Sequence, residues 1–227
     1  MDDSEVLPQE ASNCPTRKQR AVSCVEMCLA ILIVVAHNDY HWIPNEVPIL
    51  FVLAIISFRV REGNWGWHLY GRPASWALPL LLAILCVVFL QVKDMILEPI
   101  GHYFWAAPPH VSSIITQTHD VQRALRTVLF VWLFAAFGEE VGYRGYLQRW
   151  ALDVFGRNGW GMTVALVIAS ATFGFGHFYR GPAGMLESTG SGLILGGAYL
   201  FSGRLWASTI AHGVNDTLAV MFSYFGW

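Results

Sequence analysis

Apolar residues gather into seven runs along the chain, at about 21–36, 47–60, 75–92, 124–138, 161–178, 190–202 and 205–225. Polar, Gly- and Pro-containing breaks separate them. A membrane-crossing helix needs roughly 20 predominantly apolar residues, with a range of about 17–25. The pattern therefore predicts an all-α bundle of seven transmembrane helices. The second and sixth runs are short, and an eighth membrane-dipping segment fits within 93–122. Residues 1–20 form a polar tail that ends in Arg17, Lys18 and Arg20. The run after it lacks a small-residue cleavage site, so it reads as a retained first helix and not as a signal peptide.

Aromatic and basic residues agree with these boundaries. Trp42, Trp65, Trp67, Trp76, Trp105, Trp150, Trp160, Trp206 and Trp227 fall at or just outside the predicted ends, and Trp132 alone lies inside a run. Indole rings favour the headgroup level, where the ring is apolar and the N–H finds a partner. With the N-terminus in the cytoplasm, the inner segments collect Arg17, Lys18, Arg20, Arg59, Arg61, Arg72, Arg144, Arg149, Arg157 and Arg204. The outer segments hold Lys93, Arg123, Arg126 and Arg180. Ten against four predicts an N-in orientation in the cell membrane.

Composition removes other classes. The 227 residues are 55% hydrophobic and 13% charged, about half the charge of an ordinary soluble domain. A net charge of −2 offers no basic field for a phosphate backbone, so no nucleic-acid partner is expected. Cys14, Cys24, Cys28 and Cys86 show no CxxC spacing, which disfavours a disulfide framework or a thiolate zinc site. Cys24 and Cys28 read as small apolar fillers, and Glu26 as an interface residue without a role.

Ionisable side chains inside apolar helices are costly and mark candidate function. Three groups stand out. Glu139 and Glu140 precede Arg144 in FGEEVGYR; His177 closes FGFGH; His212 and Asp216 lie in AHGVND. Glu140 and Arg144 are i,i+4 with the acid first, the favourable order for pairing on one face. Glu139 is turned about 100° away and stays free for general-base chemistry. Glu139 lies 19 residues before Asn158 and His177 lies 19 after it. If 156–161 is the turn of an antiparallel hairpin, the two face each other roughly 28 Å from its tip. His212 and Asp216 share a face at i,i+4. Two histidines with carboxylates suit either a bound metal or a held and polarised water.

Taken singly, each feature has a plainer meaning. A lone buried histidine is most often a satisfied core group, and Glu140–Arg144 alone is a structural ion pair. Gly192 and Gly196 form a GxxxG pattern of close helix packing. The chain has no HExxH and no GxGD, and Ser191, which with His212 would imitate a serine–histidine dyad, lacks the glycine elbow of a serine hydrolase. Only the three groups together specify a site.

EExxxR at Glu139–Arg144, FxxxH at Phe173–His177 and HxxxD at His212–Asp216 resemble the three motifs of the CAAX prenyl protease and bacteriocin-processing family of intramembrane proteases. The likeness covers about 121–225. It implies a four-helix catalytic core in 121–227, preceded by accessory helices in 21–120. It also implies that Glu139 activates water with help from His177, and that His212 and Asp216 stabilise the oxyanion or complete the site. Glu140, Arg144, Phe173 and Asn215 take supporting roles. A divalent metal such as zinc, if used, has His177, His212 and Asp216 as its ligands. The implied activity is that of an intramembrane endopeptidase, possessing or lacking a metal, that cuts a peptide or membrane-protein segment within the lipid bilayer. The competing readings are a non-catalytic scaffold or bacteriocin self-immunity protein of the same fold, and an ion-coupled carrier.

Overall fold

The structure, a computed structural model, describes residues 14–105 and 120–226. Most of the polar tail, and the 106–119 part of the predicted dipping segment, lie outside the described residues.

Every regular element among the described residues is helical. Helix α1 (Arg17–Asn38) starts one turn before the apolar run, because Thr16 and Gln19 form a reciprocal capping box. The basic residues Arg17, Lys18 and Arg20 are therefore its first turn. Helix α2 (Glu46–Glu62) is capped by Asn45, whose side chain accepts from Val47 N at 2.8 Å. A short 3-10 turn, Trp67–Tyr70, leads to α3 (Ala77–Phe104). At 28 residues, α3 is about 42 Å long and absorbs much of the predicted 93–122 loop.

After Asp120 the chain runs as one rod: α4 (Val121–Phe130), a segment of wide π-type turns (Val131–Gln148), and α5 (Arg149–Phe155). Val131 and Arg149, at the two junctions, both hold right-handed helical backbone angles, so the rod is not interrupted. Asn158 caps α6 (Gly159–Phe175). The chain then breaks at Gly176 and His177, passes through a 3-10 turn (Phe178–Arg180), and continues as α7 (Gly181–Ser202), with the pair bent by 58°. Helix α8 (Trp206–Phe225) closes the described chain.

The π-segment is the centre of this arrangement, with α2, α6 and α8 packed against it. One apolar cluster joins α1, α2, the π-segment, α5 and α6, and includes Leu50, Phe58, Tyr143, Tyr146, Leu147 and Phe173. A second joins α3, α7 and α8 through Leu195 and the small residues Ala83, Cys86, Ala198, Ala207 and Ala211, which let the helices approach closely. The 3-10 turn orients α8: Tyr70 Oη lies 2.8 Å from Thr209 Oγ1, and Trp206 Nε1 donates to Tyr70 O at 3.0 Å.

The outer surface is apolar. Val25 and Leu32 on α1, Leu81, Ile84, Val88 and Phe89 on α3, and Phe201 on α7 are all exposed. Such a face is costly in water and at home in lipid. By length and composition, α1 and α3 qualify as membrane spans, and the bent α6–α7 pair is a third if it counts as one crossing. Fewer segments qualify than the seven runs predict, because α2 has only 17 residues and the rod and α8 carry the charged groups of the motifs. Cys24 and Cys28 sit on the exposed face of α1 and not in the core, whereas Cys86 is buried.

Candidate functional site

Along the rod, Gly138 and every residue from Glu140 to Gln148 are buried. An amphipathic helix buries one stripe; this segment is enclosed on all sides, so its polar groups must find partners inside the protein. Turns of the i→i+5 type are rare and concentrate at functional sites.

Glu140 is engaged through Oε1, while its Oε2, also buried, makes no hydrogen bond. Its Oε1 lies 2.9 Å from Arg144 Nη1 and 2.9 Å from His212 Nδ1, and both Glu140 and Arg144 are buried. The pairing expected from i,i+4 spacing is thus present, with His212 added from α8. Arg144 also lies over the Phe173 ring, with Cζ 4.3 Å from the centroid, a cation–π contact that suits a guanidinium away from water.

Glu139 is not engaged in that way. Its Oε2 is buried and has no hydrogen-bond partner. The nearest cationic partner is His212 Nε2 at 3.9 Å, and the same nitrogen is 3.5 Å from Asp216 Oδ2. Contacts of this length between polar groups are the range in which a water mediates. The Asp216 side chain is 30% exposed, so the cluster opens on that side.

His177 occupies the helix break. Its Nδ1 is 2.9 Å from Phe173 O; a carbonyl only accepts, so Nδ1 carries the hydrogen and Nε2 offers a lone pair. The ring packs 4.8 Å from Phe173 and 5.9 Å from Tyr179. It makes no ion pair with Glu139 among the described residues. His212, and not His177, is the histidine beside Glu139. Hairpin counting considers only the rod and α6 and so does not bring in His212, which comes from α8. Phe173 is what joins the groups: its ring meets Arg144, Tyr143 at 5.1 Å, His177, and His212 at 6.1 Å.

Helices outside the motifs complete the surroundings. Gln91 on α3 donates to Asn215 Oδ1 at 2.9 Å. Lys93 donates to Ser191 Oγ at 2.8 Å, which ties Ser191 to α3 and away from any dyad with His212. Trp132, the one tryptophan inside a run, donates from Nε1 to Thr217 Oγ1 at 3.1 Å. Its ring lies so close to Gly213 that a Cβ there would be 2.8 Å away. Glu26 is no idle interface residue: it pairs with Arg61 and accepts from Ser57. Sequence reading passed over Tyr143 and Glu46, since a tyrosine and a glutamate at a helix start are ordinary in isolation.

The donors do not suit a metal. No three His, Cys, Asp or Glu side chains among the described residues converge as a ligand set. His212 Nδ1 is taken by Glu140, and His177 is held at its own turn.

Residues 121–218 match the family model described as Type II CAAX prenyl endopeptidase, Rce1-like. No curated protein and no solved structure matches the chain. The matched segment begins with α4, ends just past Asp216 and contains all three motifs; α1, α2 and α3 lie outside it.

Proposed function

We propose that the chain is an intramembrane endopeptidase of the kind its match over 121–218 describes, hydrolysing a peptide bond with a water activated by Glu139. The observation that carries this reading is the contrast between adjacent glutamates. Glu140 is neutralised through Oε1 by Arg144 and His212, each at 2.9 Å, while Glu139 makes neither contact and holds Oε2 3.9 Å from His212 Nε2.

In this mechanism Glu139 takes a proton from water as the oxygen attacks the scissile carbonyl carbon. His212, fixed through Nδ1 by Glu140, presents Nε2 to the developing oxyanion, and Asp216 orients it. The unhydrogenated Nε2 of His177 assists in positioning the water. As the tetrahedral intermediate collapses, Glu139 returns the proton to the leaving amine. Glu140, Arg144 and Phe173 hold these groups in place, and Asn215 is held in turn by Gln91. The donor set argues against a divalent metal.

The protein sits in the cell membrane as a multi-pass bundle, with the N-terminus in the cytoplasm. Arg144 is consumed by a buried pair, and the remaining nine inner basic residues still outnumber the four outer ones. The substrate is a peptide or membrane-protein segment reached from the cytoplasmic side, with or without a prenyl group.

The test is N- and C-terminal profiling of membranes from cells carrying wild type or Glu139→Gln at matched expression. New termini confined to wild type identify a protease and its substrate together. Matching profiles from two folded proteins refute the catalytic reading and favour a scaffold or self-immunity protein.

A further inference from the structure

Glu46 is the first residue of α2 and lies outside the matched segment, yet it is only 5% exposed. A carboxylate is favoured in the first turn of a helix by the helix dipole, and here it has two further ties. Tyr143 donates its hydroxyl to Glu46 Oε1 at 3.3 Å. His37 of α1 brings Nε2 to 3.2 Å from Glu46 Oε2, while its Nδ1 donates to Ile43 O at 2.8 Å.

The same pair closes over the helix break. A Cβ on Gly176 would stand 2.6 Å from Tyr143 Oη and 3.1 Å from Glu46 Oε1. Glycine lets the chain pass beneath them immediately before His177, where a methyl would have to displace the Tyr143 hydroxyl. Tyr143 in turn packs edge-on to Phe173, whose ring touches Arg144, His177 and His212. One carboxylate on an accessory helix therefore borders both halves of the site: the π-segment through Tyr143, and the break through Gly176.

We infer that Glu46 is a positioning residue for the hydrolytic site, fixing Tyr143 and the Gly176–His177 break from a helix outside the matched domain. This rests on the endopeptidase reading given above. The role needs an acceptor oxygen at Oε1, not a negative charge. Glutamine retains that oxygen and presents its amide N–H to His37 Nε2, which is a lone-pair acceptor when Nδ1 carries the hydrogen.

The experiment uses full-length protein in detergent and a quenched fluorescent peptide spanning the bond identified by terminal profiling. Glu46→Ala is expected to lower kcat about tenfold or more with KM within about twofold. Tyr143→Phe, which keeps the ring, should do the same. The double variant should be no slower than the slower single, because both changes remove one contact. Glu46→Gln should restore kcat to within about threefold of wild type. Hydrogen exchange supplies a readout that needs no cleavage: amides of 173–181 should exchange faster in Glu46→Ala and Tyr143→Phe and at the wild-type rate in Glu46→Gln.

Folded Glu46→Ala with kcat within about twofold of wild type overturns the inference, as does unchanged exchange across 173–181. If Glu46→Ala does not fold, Tyr143→Phe decides by the same two readings. Cleavage that does not depend on Glu139 refutes the endopeptidase reading instead, and the exchange arm then decides whether Glu46 holds the break.

Discussion

Glutamates 139 and 140 are neighbours with opposite expected responses to the same substitution. Changing Glu140 to Gln removes the counter-charge of Arg144, whose side chain is 2% exposed, and of His212 at 2.9 Å. Breaking one partner of a buried ion pair costs about 3–5 kcal/mol, because the other charge stays buried without compensation. For a chain of this size each kcal/mol lowers Tm by about 2–4 °C, so the expected loss is about 6–20 °C. Glu139→Gln removes a carboxylate whose Oε2 has no partner. Glutamine keeps the shape of the side chain and gives up no hydrogen bond at Oε2, so Tm should change little while cleavage falls about 10²–10⁴-fold, the usual worth of a general base. The assay is thermal unfolding followed by tryptophan fluorescence in one detergent, paired with cleavage by the same preparations. Equal Tm losses for the two variants, or a Glu140→Gln protein as stable as wild type, would refute the assigned division of roles.

Three further outcomes follow from the same geometry. His212→Gln removes the donor to Glu140 and the group facing Glu139; it should abolish cleavage and cost about 1.5–3 kcal/mol, the range for a hydrogen bond to a charged group, and wild-type activity would exclude His212 from the chemistry. Gly213→Ala places a methyl 2.8 Å from the Trp132 ring; overpacking of this kind costs about 1–3 kcal/mol, measurable as a lower Tm, and an unchanged Tm would show that α8 is not clamped there. Treatment with EDTA should leave cleavage unchanged, since no three ligands converge among the described residues; loss of activity that zinc restores would show that the donor set rearranges around an ion.

Some of this organisation was legible one residue at a time. Helical periodicity places Glu140 and Arg144 on one face, and the ion pair forms even though the backbone adopts wider turns than an α-helix. The polar groups of the three motifs stand out because an apolar helix has no other reason to carry them. The capping residues Thr16, Asn45 and Asn158 likewise announce their helices, since each needs only a side chain that reaches a backbone N–H two or three residues on.

Partners on different helices are another matter. Periodicity states which face a residue occupies, but not which neighbour that face meets or at what height. Those depend on helix rotation and axial offset, which are fixed by packing over the whole bundle. So the sequence alone determined a helical, lipid-compatible chain with one glutamate paired and one spare. Only the tertiary structure decided that His212 sits beside Glu139, that His177 occupies a break instead of a helix, and that Glu46 borders the site from outside the matched segment. The physical reason is range: capping and i,i+4 contacts close within one helical turn, whereas Glu46–Tyr143 and Glu140–His212 close over 97 and 72 residues, and nothing local encodes them.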